Sequence, residues 1–232
     1  MNLDLPLRPS RHSEKIIIES ILNGTYPPGS VLPPERKLAE ILNVTRPTIR
    51  ETLQRLSSEG WVTIRHGKST EVNNFREKGG MRLLGTMVKY GGYLPEDFIL
   101  SLMEFRVALI VPIAKLAVER KPMAITSFLS TFRNLDPQAE AFAAYDWGLQ
   151  ETMAAHSGNP IFPMMLNDFA SIFNTLASLY FTLEIAREAS FSYYENLLHA
   201  IHHDPDSVER VVEAAMKKSI EIFNGLTPSQ PS

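Results

Sequence analysis

Residues 32–74, LPPERKLAEILNVTRPTIRETLQRLSSEGWVTIRHGKSTEVNN, limit what this chain can fold into more than any other stretch. Pro33 and Pro34 cannot sit inside a helix but suit its first turn. Glu35 then favours the positive end of the helix dipole. Leu38, Ala39, Ile41 and Leu42 supply the apolar face of a helix of roughly two turns. Asn43-Val44-Thr45 breaks that helix. Thr45 is placed to cap the next one, and Pro47 falls in its first turn. Ile49, Leu53 and Leu56, spaced by four and three, bury one face of it, and Gly60 ends it. The stretches 61–65 and 70–72 alternate as strands, with His66-Gly67-Lys68-Ser69 turning between them.

A helix, a tight turn, a second helix and a basic hairpin make a helix-turn-helix followed by a wing. The partner such a unit meets is duplex DNA. Thr45, Arg46, Thr48 and Arg50 crowd the start of the second helix, the end that meets base edges in the major groove. Arg46 and Arg50 are expected on guanine edges or phosphates, with Arg36, Thr45 and Thr48 on backbone phosphates and Pro47 in the same first turn. His66, Gly67 and Lys68 are expected to enter the minor groove from the wing tip. Each signal taken singly also fits a basic amphipathic helix with a solvated charged face. Their agreement in length, caps, arginine placement and basic hairpin favours the DNA reader.

The charge distribution agrees. The 232 residues carry a formal net charge of −3. Residues 1–75 hold 10 Lys and Arg against 8 Asp and Glu, whereas residues 76–232 hold 13 against 18. The positive share therefore lies with the reader, as phosphate attraction requires. There is no cysteine, which excludes disulfides, thiolate metal sites and cysteine nucleophiles and suits a reducing cytoplasm. The first fifteen residues lack an apolar core of signal-peptide length. No apolar run approaches the roughly 18 residues a spanning helix needs, so no membrane partner is expected.

The order along the chain begins with a polar arm over residues 1–10 and a first helix over 13–23, capped by Ser13 and stopped by Gly24. Residues 26–29 turn, and the winged unit runs to about residue 74. The domains expected are a winged helix-turn-helix over 1–75, a linker helix over 76–93, an all-helical effector-binding domain over 94–226 and a disordered tail over 227–232. Within the linker, residues 75–80 lead into a short helix at 81–90 that Gly91-Gly92 ends. Helices are expected near 95–119, 122–133, 137–156, 160–183, 185–203 and 205–224, with stops at Ser157-Gly158-Asn159-Pro160 and Asp204-Pro205-Asp206. The fold class is mainly α, with one small β-hairpin as the wing.

The stretch PPERKLAEILNVTRPTIRETLQRLSSEGWVTIRHGKST resembles the GntR-type winged helix. The helical second half, with SGNP after a long helix, WVTIRHGKSTEVNNF before it, LASLYF within it and KKSIEIF near its end, resembles the FadR/FCD branch, and its fatty-acid-responsive type in particular. The resemblance spans nearly the whole chain, from Ser13 to about Leu226. It implies a homodimeric transcription regulator on a double-stranded DNA operator. Many members of the branch bind a divalent metal through an Asp and three His. The matching positions are Asp146, Gln150, Tyr194 and Ser219, a set with one carboxylate and no imidazole, so no metal is expected. His199, His202 and His203 share one helix. They read either as a metal pair or as favourable groups near a helix C-terminus, and the second reading is adopted.

The resemblance further implies long-chain acyl-CoA as the effector, with no other cofactor. Phe162, Met165, Phe169, Phe173, Leu176 and Tyr180 recur at helical spacing, a stripe that on its own reads as core. The pocket positions implied are Tyr180, Tyr194, Ser219 and Phe223, with Met216 standing where fatty-acid-responsive members carry a small Gly. Arg106 is a candidate anchor for anionic ligand groups, or equally one half of a helix pair with Glu104. Nine Met and twelve Phe give the soft surface that a flexible chain would need. The alternative is a GntR-type regulator answering to a different metabolite, a small carboxylate or another lipid. An enzyme with a DNA-binding appendage is the third class. No nucleophile–base spacing, phosphate loop or HExxH supports it, so no catalytic residue is expected.

Overall fold

The structure, a computed structural model, describes residues 9–65, 67–90 and 96–225. The chain forms two compact units, Met1–Leu94 and Pro95–Ser232.

In the first unit α1 (Pro9–Leu22) packs on α3 (Arg46–Glu59), and α2 (Glu35–Ile41) packs on α3 as well. The α1 helix starts earlier than the sequence suggested. Ser13 does not cap it: its hydroxyl donates to the Pro9 carbonyl one turn back, at 2.9 Å, and the side chain is buried. The spacing of Ile49, Leu53 and Leu56 does bury one face of α3, against Ile17, Ile18, Ile21 and Leu38. Each such side chain contributes roughly 1.5–3 kcal/mol on leaving water. Gly60 ends α3 at φ +92°, a conformation that costs a side chain. A Cβ there would also stand 2.7 Å from the Lys78 carbonyl oxygen.

The wing is smaller than the alternation suggested. Only β1 (Val62–Thr63) and β2 (Glu71–Val72) pair, antiparallel, with Val62 opposite Val72. A third segment, which the sequence did not reveal, completes the sheet. Val31 bridges Glu71, and the Leu32 and Val72 amides donate to Thr70 and Ser30 carbonyls at 2.9 and 2.8 Å. The stretch after the wing was expected as a linker leading into a helix. It holds one helical turn, α4 (Phe75–Lys78), capped by the Asn74 side chain, and then α5 (Met81–Tyr90). Leu83, Met87 and Tyr90 of α5 lie in the same core as the winged helix, so α5 is part of that fold. Gly91 and Gly92, expected to end it, lie outside the described residues.

The second unit is helical throughout its described residues: α6 (Glu96–Arg120), α7 (Pro122–Leu129), α8 (Ala139–His156), α9 (Ile161–Tyr180), α10 (Glu184–His203) and α11 (Val208–Asn224). Three boundaries shift, the first at the helix expected to reach residue 183, which ends at Tyr180. The segment expected to reach residue 133 as one helix stops at Leu129 and resumes as a 3-10 turn at Phe132–Asn134. The segment expected from 205 opens with a 3-10 turn at Pro205–Ser207. Pro112 lies inside α6, where it forfeits one backbone hydrogen bond. The helix continues through it because α6 packs along α8 and α11. No single helix among the described residues is long and apolar enough to cross a membrane. The tail expected over 227–232 lies outside the described residues.

Candidate nucleic-acid interface and effector cavity

The first turn of α3 is built as its sequence required. Thr45 is extended, its Oγ1 accepts from the Thr48 amide at 3.4 Å, and the two threonine hydroxyls are 2.9 Å apart. Arg46, Pro47 and Arg50 are exposed there. Arg50 is not free. Its Nε and Nη2 donate to both carboxylate oxygens of Glu35, at 3.3 and 2.8 Å, joining the start of α2 to α3. The hydrogen bond from Arg50 is the chief cause that holds the Glu35 carboxyl below its ordinary range. The pair is exposed, so salt screens it and it orients Arg50 more than it stabilises the fold. Arg36, one residue into α2, lies 3.9 Å from Glu40 on the next turn. At the wing tip Gly67 has φ +70°, and an added Cβ would meet no atom within 4 Å. Lys68 is exposed beside it. His66 lies outside the described residues.

A buried charged cluster within this unit escaped sequence reasoning. The Tyr90 hydroxyl donates to Glu14 Oε1 at 2.8 Å, and Arg55 Nη2 lies 3.1 Å from Glu14 Oε2. Thr86 donates to Glu59 at 2.9 Å. Helix α5 is thus tied to both α1 and α3. Tyr90 and Glu14 are 76 positions apart, and no local pattern joins them.

The second unit holds a partly open cavity of about 110 Å³. Its wall comes from five helices: Leu102 and Leu109 of α6, Trp147 of α8, Phe169 and Phe173 of α9, Tyr193 of α10, and Phe223 of α11 among others. Arg106, Tyr180, Met216, Ser219 and Phe223, all singled out in the sequence, are on this wall. Tyr194 is not on the wall. It is fully buried, and its hydroxyl donates to Asp146 Oδ1 at 3.3 Å. The apolar α6 and α8 residues of the wall, Leu102, Leu109 and Trp147 among them, were not singled out, because they read as ordinary core.

Arg106 pairs with Asp146, not Glu104. Its Nη2 donates to Asp146 Oδ2 at 2.9 Å and its Nε to Gln150 Oε1 at 3.3 Å, while Gln150 Nε2 donates to Asp146 Oδ2 at 2.8 Å. Burial pushes the Asp146 carboxyl up, and the Arg106 guanidinium, Tyr194 and Gln150 pull it back. Three of the four positions matched to the branch's metal ligands therefore do converge. The fourth, Ser219, lines the same cavity and donates to the Met216 carbonyl at 2.6 Å. The donors do not suit a divalent transition metal. Their one carboxylate already carries a guanidinium, and the others are an amide and a phenol. The His199 and His203 rings lie tilted at 42° with centroids 4.6 Å apart near the end of α10.

Comparison with known proteins agrees with this anatomy. Residues 10–72 match the family described as "Bacterial regulatory proteins, gntR family", and residues 73–232 match the "FadR C-terminal domain". The "Fatty acid metabolism regulator protein" of Yersinia pestis (strain Pestoides F) is 36% identical over 227 residues, covering 97% of this chain and 94% of its own. The protein of the same description from Yersinia pseudotuberculosis serotype O:1b (strain IP 31758) is equally similar. Among solved structures, Lar of Listeria monocytogenes superposes with a TM-score of 0.60 at 17% identity, over 97% of this chain and all of that one. E. coli McbR/YncC superposes at 0.50 and 18% identity, over 95% of this chain and all of that one. At such identities the two structures speak for the fold alone. The matched families are those of transcription regulators, not enzymes. This chain belongs to the gntR family of bacterial regulatory proteins, in the type that carries a FadR C-terminal domain, and is a DNA-binding transcription regulator.

Proposed function

We propose that this protein is a cytoplasmic, homodimeric regulator of fatty-acid metabolism that long-chain acyl-CoA releases from its double-stranded operator. The observation that carries this reading is the cavity of the helical unit, walled almost wholly by aliphatic and aromatic side chains. An effector with a long methylene chain gains about 0.8 kcal/mol for each buried methylene, so such a wall rewards an acyl tail above all. Seating a chain of about sixteen carbons among these side chains would repack the wall, and that rearrangement is the conformational work that lowers DNA affinity. The relatives described as fatty acid metabolism regulators support the same class of effector. A small carboxylate is the weaker alternative, because the one guanidinium on the wall, Arg106, is already neutralised by Asp146. One recognition helix reads too few base pairs to specify a site, so two copies would read a short palindrome. Native mass spectrometry of protein purified from cells tests the reading. A dimer carrying acyl-CoA of sixteen or so carbons supports it, and a dimer carrying a small acid instead contradicts it.

A further inference from the structure

Tyr193 on α10 is 5% exposed and lies on the cavity wall. Its hydroxyl is buried and has no hydrogen-bond partner among the described residues. Arg106, Asp146 and Gln150 satisfy one another, and Ser219 donates to its own helix. The neighbouring ring, Tyr194, is anchored on Asp146. A buried hydroxyl that is left unpaired costs free energy that a phenylalanine of the same shape would not. Its partner is therefore to be sought in what enters the cavity. Burial pushes the Tyr193 phenol up, with the Asp146 charge adding to the shift and Arg106 opposing it. The group stays protonated at neutral pH and offers a donor.

A buried phenol donor without a partner, in a mostly apolar wall, suits a group that only accepts. Along a long-chain acyl-CoA the methylenes neither donate nor accept. The pantetheine amides need a donor and an acceptor each. A carboxylate would need a free cation, and Arg106 is paired. The thioester carbonyl accepts and does not donate. We propose that the Tyr193 hydroxyl donates to the thioester carbonyl of the effector, and so distinguishes an acyl thioester from an alkyl chain of equal length. This inference rests on the acyl-CoA reading above.

The test uses the full-length protein and three probes in calorimetric titrations: palmitoyl-CoA, S-hexadecyl-CoA, which lacks the carbonyl, and palmitate. The parent should bind palmitoyl-CoA about tenfold tighter than the thioether, the order of one hydrogen bond made in place of a buried orphan. Tyr193→Phe should weaken palmitoyl-CoA about tenfold and erase that preference. It should leave DNA binding intact and the ligand-free melting temperature unchanged or higher. The preference of the parent needs no variant, so a Tyr193→Phe protein that folds poorly does not disable the test. A parent that binds both CoA compounds equally, or a variant that holds palmitoyl-CoA as tightly as the parent, overturns the assignment and leaves the acyl-CoA reading standing. Palmitate binding that Tyr193→Phe abolishes also overturns it, in favour of a carboxylate. A parent that binds none of the three overturns both.

Discussion

Arg106 and Asp146 face each other across the helical unit, Nη2 to Oδ2 at 2.9 Å, with side chains 22% and 6% exposed. The guanidinium supplies positive charge to a cluster that also holds Gln150 and Tyr194. Taking two charges out of water is costly, and removing only one strands the other. Arg106→Ala should therefore destabilise the helical unit on the order of 3–5 kcal/mol, while Arg106→Met combined with Asp146→Leu should cost far less. Urea titrations of the four combinations check this. A double variant whose loss equals the sum of the two single losses would show that the pair is not coupled.

Alkaline pH should unfold the protein early. Burial pushes the Tyr180 phenol up to about 12 and raises those of Tyr90, Tyr145, Tyr193 and Tyr194 as well. An unfolded tyrosine ionises near 10. Between 10 and the folded values the native state keeps protons that the unfolded chain has lost, so stability falls as pH rises through that window and is fully present below it. The urea midpoint should decline from about pH 10 upward, and Tyr180→Phe should make the decline shallower. A flat profile would contradict the burial of these phenols.

At the DNA-reading end, Arg46→Ala should lose roughly 1–3 kcal/mol of specific binding. Arg50 should behave differently, because Glu35 already holds it. Glu35→Gln should raise non-sequence-specific affinity and steepen its salt dependence, as one more cation becomes available to phosphate. Fluorescence anisotropy against random duplexes at two salt concentrations reads both effects. An unchanged salt slope in Glu35→Gln would mean that Arg50 does not reach the backbone.

Helix α5 should loosen from the winged helix when its buried donor is removed. Tyr90→Phe deletes the hydrogen bond to the Glu14 carboxylate, and bonds to charged groups contribute roughly 1.5–3 kcal/mol. Hydrogen exchange on the full chain should show faster exchange over α5, with the α8 and α9 amides unaffected. Unaltered exchange over α5 would show that its apolar contacts suffice.

What the sequence revealed followed from local physics. Thr45 capping, Pro47 in the first turn, the buried face of Ile49, Leu53 and Leu56, and Gly60 in the left-handed region all rest on spacing within one helix. Contacts between distant segments were hidden. Nothing near Val31 marks it as a third strand beside Glu71, and nothing near Tyr90 points to Glu14. In the helical unit the aromatic stripe of α9 was visible as a stripe, but the α6 and α8 residues that close the cavity against it carry the same signal as any core. Arg106 was legible as a residue needing a partner, but its partner lies 40 positions away, beyond any helical repeat.

On the proposed function, acyl-CoA binding and DNA binding oppose each other. The most direct measurement is fluorescence anisotropy of the full-length protein on a duplex that it selects from a random pool, titrated with palmitoyl-CoA and, separately, with free coenzyme A. Palmitoyl-CoA should weaken DNA binding roughly 5- to 150-fold, the usual range of allosteric coupling, and the duplex should weaken palmitoyl-CoA binding by the same factor. Free coenzyme A should do neither. A complex that stays on its duplex at saturating palmitoyl-CoA would contradict the account.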